Sequence, residues 1–127
     1  MPKAIRIEQH GGPEVLKLVD VDVPKPGPGE VRIRQHAVGL NFIDIYFRTG
    51  LYPTKLPAVL GFEAAGVVDA VGPKVRHLKV GDRVAYGQSP LGAYAEVRNM
   101  PAFQVVKIPD SISFEEAAAI MLKGLTV

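Results

Sequence analysis

The chain has 127 residues, 47% hydrophobic and 22% charged, which is the size and balance of one globular domain with a real core and not of a disordered segment. Its 15 lysines and arginines nearly offset 13 acidic residues, leaving a formal charge of +2, and they are scattered singly, so a nucleic-acid-binding patch is not expected. Cysteine is absent, which excludes disulfides and thiolate metal sites, and no apolar run is long enough for a signal peptide or a membrane span.

In chain order, Ala4, Ile5 and Ile7 alternate with Lys3, Arg6 and Glu8 as an edge strand would, and His10-Gly11-Gly12-Pro13 turns the chain into a second strand over 15–21. Pro24-Lys25-Pro26-Gly27-Pro28-Gly29 is too rich in proline and glycine for a ladder, after which Val31 and Ile33 alternate with Arg32 and Arg34 in a half-buried strand over 30–38. Asn41 is placed to cap a short helix running through Arg48 and ended by Gly50. Residues 63–71, apolar and bounded by Gly61 and Gly72, read as a buried strand; further strands are expected after Gly81-Asp82-Arg83-Val84, over 92–97 and over 104–108. Ser113-Phe114-Glu115-Glu116 has the spacing of a capping box at the head of a helix, and Ala117 to Leu122 are strong helix formers. The helix then runs into Gly124-Leu125-Thr126-Val127, apolar and without a stop signal, so the chain is expected to be a piece of something longer.

Several chemistries find no support in the residues. No Gly-x-Gly-x-x-Gly turn is present to receive a pyrophosphate on backbone amides, and where Gly61 and Gly66 have the outer spacing of a phosphate loop, Val67-Val68 stands in place of its lysine and hydroxyl residue. His10, His36 and His77 fall in a turn, a strand and a loop without a ligand spacing, and are expected to be solvated or singly hydrogen-bonded.

Three motifs point further: Leu60-Gly61-Phe62-Glu63-Ala64-Ala65-Gly66-Val67-Val68, Asn41-Phe42-Ile43-Asp44-Ile45-Tyr46, and Gly81-Asp82-Arg83-Val84. Together they make the chain resemble, over essentially its whole length, the amino-terminal domain of zinc-independent quinone oxidoreductases, the zeta-crystallin type of the medium-chain dehydrogenase/reductase superfamily. The resemblance implies a mainly β, chaperonin-10-like, partly open β-barrel, with a short helix near 42–48 and a linking helix near 113–123. Residues 1–112 would form the catalytic, substrate-side domain and 113–127 the start of the linking helix, the Rossmann cofactor domain lying outside this chain.

In zinc-dependent relatives the catalytic zinc takes two cysteines and a histidine. The resemblance puts those positions at Asn41, Phe62 and Leu122, none of them a zinc ligand, and the hydroxyl relay position at Ile43. No metal site is therefore expected, and alcohol oxidation is disfavoured. A quinone accepts hydride without a metal because its ring delocalises the arriving charge, so orientation and hydrogen bonds suffice. By resemblance Asn41, Phe42, Ile43, Asp44, Ile45, Tyr46 and Thr126 line the NADPH and substrate cleft, with Tyr46 and Tyr52 as candidate hydroxyl donors.

The residues alone leave alternatives at these positions. Asn41 is explained equally by helix capping; Phe42 and Ile45 have the spacing of core residues; Asp44 and Glu63 are either a polar pair near the cleft or structural charges, the second favoured for Asp44. At the level of function the expectation is part of an NADPH-dependent quinone reductase, cytoplasmic, homodimeric when complete, acting on a quinone or conjugated carbonyl, and inactive as this fragment alone. An enoyl or alkenal reductase of the same superfamily, or a stand-alone chaperonin-10-like binding module, are the alternatives.

Overall fold

A computed structural model of the chain describes residues 1–88 and 90–126, with side chains described as far as Met121. The elements follow the order β1 (Lys3–Ile7), β2 (Lys17–Asp20), β3 (Glu30–Gly39), α1 (Phe42–Thr49), β4 (Ala58–Val59), β5 (Glu63–Val71), β6 (Arg83–Tyr86), β7 (Val97–Pro101), β8 (Val106–Lys107) and α2 (Phe114–Thr126). Among the described residues no helix is long and apolar enough to cross a membrane.

The strands form two open antiparallel sheets, one of three strands in the order β2-β1-β4 and one of five in the order β7-β3-β5-β6-β8. Neither closes on itself, so the architecture is mainly β, of open sheets and not a closed barrel. The larger sheet folds around one apolar cluster in which Val31, Ile33, Val68, Val84, Tyr86 and Met100 are fully buried. The alternation seen in 30–34 thus turns Val31 and Ile33 inward, while Arg32 reaches out to Asp69 at 2.8 Å.

Local sequence chemistry sets both helices. Gly50 ends α1 at φ +90°, a conformation cheap only for glycine, with its amide returning to the Tyr46 carbonyl at 3.2 Å. At α2 the Ser113 amide donates to Glu116 Oε1 at 3.1 Å and the Glu116 amide donates to Ser113 Oγ at 3.0 Å, the reciprocal pair that the spacing predicts. The helix lies across β5, β3 and β6. Ala117 and Ala118 bury against Ala65 and Ala85, and the Phe114 ring lies stacked 4.4 Å from His36 with the Arg83 guanidinium 4.4 Å from its centre.

Three expectations about strands need correction. β1 is the middle strand of its sheet and not an edge, because β4 pairs with its far side. Residues 92–97 form no strand before Val97: the amides of Gly92 and Ala93 both go to the Gly61 carbonyl and that of Tyr94 to Leu60, so their bonds serve a loop and not a ladder. The strand lies one step later, at β7. Residues 104–108 divide into the end of a 3-10 turn, Ala102–Gln104, and the two-residue β8.

A buried polar network holds that loop. Arg98, on β7, donates from Nη1 to the Pro90 carbonyl at 3.1 Å and from Nη2 to the Leu91 carbonyl at 3.2 Å. Beside it the Tyr86 hydroxyl donates to Gln35 Oε1, while Gln35 Nε2 donates to the carbonyls of Ala93 and Ala95 at 2.8 and 2.6 Å. Burial raises the Tyr86 phenol above its ordinary value, so it stays a proton donor here.

Candidate functional site

The site is built where β3, α1 and β5 meet. β3 ends at Gly39, which pairs in register with Glu63 at the head of β5. Two residues on, Asn41 stands in extended conformation at the start of α1. Asn41 Nδ2 donates to Glu63 Oε1 at 2.9 Å, and the Asn41 amide donates to Asp44 Oδ2 at 3.1 Å. The Tyr94 hydroxyl donates to the same Asp44 oxygen. Glu63 is fully buried and Asp44 nearly so, which brings two carboxylates together inside the protein with Asn41 between them.

Burial raises the Asp44 carboxyl above its ordinary 3.8 against the pull of the Tyr94 and Asn41 hydrogen bonds, and the Glu63 charge pushes the same way. Tyr94 is raised far above the phenol range, first by burial and then by its bond to Asp44, so it remains the donor of that pair. The sign for stability follows. A carboxyl whose folded value is raised takes up protons on folding, so its contribution is full below pH 3.8 and is lost as pH rises through the raised value. Asp44→Asn, whose amide oxygen still accepts from Tyr94, is expected to flatten this loss. Urea titrations from pH 4 to 7 should show the wild type losing stability relative to the variant as pH rises; parallel curves would contradict the assignment.

The outer face of the same segment is apolar and open. Leu40 and Phe42 are 76% and 78% exposed and Ile45 is 40% exposed. With Asn41, Asp44 and Tyr94 they line a cavity of about 300 Å³. Phe42 and Ile45 are therefore not core residues, contrary to their helical spacing: the core side of α1 is taken by Asp44 and by Phe47 packing toward Leu60 and Ile7.

On the other flank is an aromatic run. Tyr46 and Tyr52 meet edge to face with centroids 5.3 Å apart, Phe47 lies 5.6 Å from Tyr52, and Phe47 lies 5.4 Å from Phe62. Phe62 is buried and contributes packing alone. Tyr52 is exposed and Tyr46 half-buried, which leaves both rings at the surface of the cluster. Ile43 is half-buried beside Asn41. The side chains of Leu122 and Thr126 lie outside those described.

The structure thus gathers Asn41, Asp44 and Glu63, sets Phe42 and Ile45 on one open face, and puts Tyr46 and Tyr52 on another. Tyr94 is the member that sequence reasoning missed. His10 Nδ1 lies 3.1 Å from the Phe47 carbonyl and His77 Nε2 lies 3.1 Å from the Ala102 carbonyl, while His36 stacks on Phe114. Among the described residues no group of three histidine, cysteine or acidic side chains is arranged to hold a metal ion.

Two open antiparallel sheets, a capped helix that carries polar groups to their edge, and a second helix laid across the larger sheet define the class: residues 27–110 match the alcohol dehydrogenase GroES-like domain, and the chain belongs to that family. Among its relatives, a quinone oxidoreductase of Pseudomonas aeruginosa is 56% identical over 99% of this chain. A quinone oxidoreductase structure from Pseudomonas syringae superposes with a TM-score of 0.97 at 59% identity, over 99% of this chain and 39% of that one. The Escherichia coli quinone oxidoreductase, solved in complex with NADPH, superposes with a TM-score of 0.96 at 51% identity, over 98% of this chain and 38% of that one. The chain spans 39% of the length of the P. aeruginosa relative.

Proposed function

We propose that this chain is the substrate-side domain of an NADPH-dependent quinone oxidoreductase that reduces quinones without zinc. Residues 1–112 form that domain and 113–127 begin the helix leading to a cofactor domain that carries the pyrophosphate site. The observation that carries the reading is the open apolar face of Leu40, Phe42 and Ile45 beside the anchored amide of Asn41. A patch of this kind is seldom left exposed without a role in binding.

The residues fit a nicotinamide: an apolar wall for a ring face and one oriented amide for a carboxamide. Asn41, Phe42, Ile43, Asp44, Ile45, Tyr46 and Thr126 make up this wall in the proposal. Bound NADPH supplies the hydride. Asn41 orients the reacting partners, and Leu40, Phe42 and Ile45 exclude water from the ring faces. Tyr46 and Tyr52 present hydroxyls able to donate to the oxygen that gains charge, as general acids do. Their ordinary role as packed aromatics is compatible with this, since their contact leaves the rings at the surface.

Zinc has no place in this account because the side chains at the relevant positions cannot ligate it. Phe62 offers a phenyl ring packed on Phe47, and Asn41 commits its Nδ2 to Glu63. The complete protein is read as a cytoplasmic homodimer acting on a quinone or a related conjugated carbonyl.

The test is NADPH oxidation by the protein at the length of its relatives, with a simple benzoquinone as acceptor and a chelator present or absent. Equal rates are expected in both, with no turnover by the 127-residue chain alone. A rate abolished by the chelator and restored by zinc would refute the metal-free assignment.

A further inference from the structure

We propose that Glu63 is a positioning residue, setting the orientation of the Asn41 amide from behind; the inference rests on the reading of Asn41 as a cleft residue. Which end of an asparagine amide is nitrogen is ordinarily assigned and not seen, but an ionised carboxylate only accepts hydrogen bonds. Facing Glu63 Oε1 at 2.9 Å, the amide must therefore turn its Nδ2 inward. Its polarity and plane are then defined before any ligand arrives.

Asn41 also caps α1: its amide donates to Asp44 Oδ2 at 3.1 Å, while its side chain and its carbonyl both face the Asp44 amide, the carbonyl at 3.0 Å. One observation goes beyond that capping. Glu63 comes from β5, outside α1, and touches the Asn41 side chain. A cap alone has no need of a buried carboxylate brought from a second element.

The chain also makes room for that carboxylate. Glu63 is fully buried, an expensive location for an ionisable group unless hydrogen bonds compensate it. Its register partner is Gly39, where a Cβ would fall 2.4 Å from Glu63 Oε1 and 2.6 Å from the Ala118 carbonyl of α2. Glycine at this position lets the carboxylate lie between Asn41 and the linking helix, so one buried group touches the cleft wall and borders the helix that leads away from it.

The experiment uses the protein at the length of its relatives and reads two signals. Glu63→Gln keeps the shape but can face Asn41 with either its oxygen or its nitrogen, so the amide loses the obligate acceptor that holds its Nδ2. The expected result is a kcat lower by roughly 10-fold, less than the roughly 100-fold that a displacement of about 1 Å at a reacting centre can cost. The melting temperature should stay near the wild-type value and the Asn41 Nδ2 protons should exchange with solvent faster by NMR. A variant whose melting temperature falls while kcat and the Asn41 exchange stay unchanged would overturn the proposal. So would fast exchange of those protons in the unaltered protein, a readout that needs no variant. If the unaltered protein reduces no quinone, the proposed activity fails, and the Asn41 exchange rates still decide the role of Glu63.

Discussion

Gly39→Ala is expected to lower the melting temperature by roughly 10 °C, the shift that follows from about 3 kcal/mol of lost stability in a domain of this size. The added methyl carbon would lie 2.4 Å from Glu63 Oε1 and 2.6 Å from the Ala118 backbone oxygen, both well inside van der Waals contact. The carboxylate is confined by its bond to Asn41, and the carbonyl belongs to a helix laid across β5, β3 and β6. Neither neighbour is the free end of a flexible side chain, so the strain is relieved by lifting α2 or by displacing Glu63. Thermal unfolding of the variant beside the wild type, followed by circular dichroism, reads the effect. A melting temperature within about 2 °C of wild type would mean that the helix yields at little cost, and the close seating of α2 would be wrong.

Arg98→Ala is expected to cost about 3 kcal/mol, since a charged donor contributes roughly 1.5 kcal/mol or more per hydrogen bond. Its guanidinium serves the Pro90, Leu91 and Asn99 carbonyls at 3.1, 3.2 and 3.2 Å and stands 5.4 Å from the centre of the Tyr86 ring. Removing it leaves the loop between β6 and β7 held by Gln35 and by backbone bonds to Gly61 and Leu60. Arg98→Lys should recover little, because a single ammonium cannot reproduce a planar fork spread over several carbonyls. Urea unfolding gives the stability, and hydrogen exchange at the Ala93 and Tyr94 amides should accelerate in both variants. Full recovery by lysine would show that charge alone, and not the fork, holds the loop.

What was legible in the sequence was local. Asn41 with Gly50 and Ser113 with Glu116 mark helix ends by interactions three or four residues apart; α1 begins and ends, and α2 begins, close to where those signals place them. The long apolar run of β5 and the alternation in β3 were equally plain, since each strand writes its burial into its own residue order. Edges and loops were not legible. β7 contains Arg98, Asn99 and Pro101, polar or ladder-breaking residues that argue against a strand, yet proline is tolerated at a sheet edge and the Arg98 guanidinium is hydrogen-bonded by carbonyls from a neighbouring loop. No periodicity reports such a partner.

The candidate site divides in the same way. Asn41 and Glu63 stood out by motif, but their hydrogen bond joins residues 22 positions apart and depends on a strand register. Tyr94, 50 positions from Asp44, carried no signal at all. Phe42 and Ile45 have a core residue's spacing and face outward instead, because the inward side of α1 carries Asp44 and Phe47. That reversal separates an ordinary amphipathic helix from one whose apolar face is available to a ligand.

We propose that residues 41–46 form one wall of a cleft for nicotinamide and quinone. The direct measurement is amide hydrogen exchange on the protein at the length of its relatives, with and without NADPH and a non-reacting quinone analogue. Slower exchange is expected across 41–46 and at Tyr52 when both are bound, with the five-stranded sheet unchanged. Protection confined to parts of the protein outside this chain, leaving 41–46 as exposed as before, would contradict it.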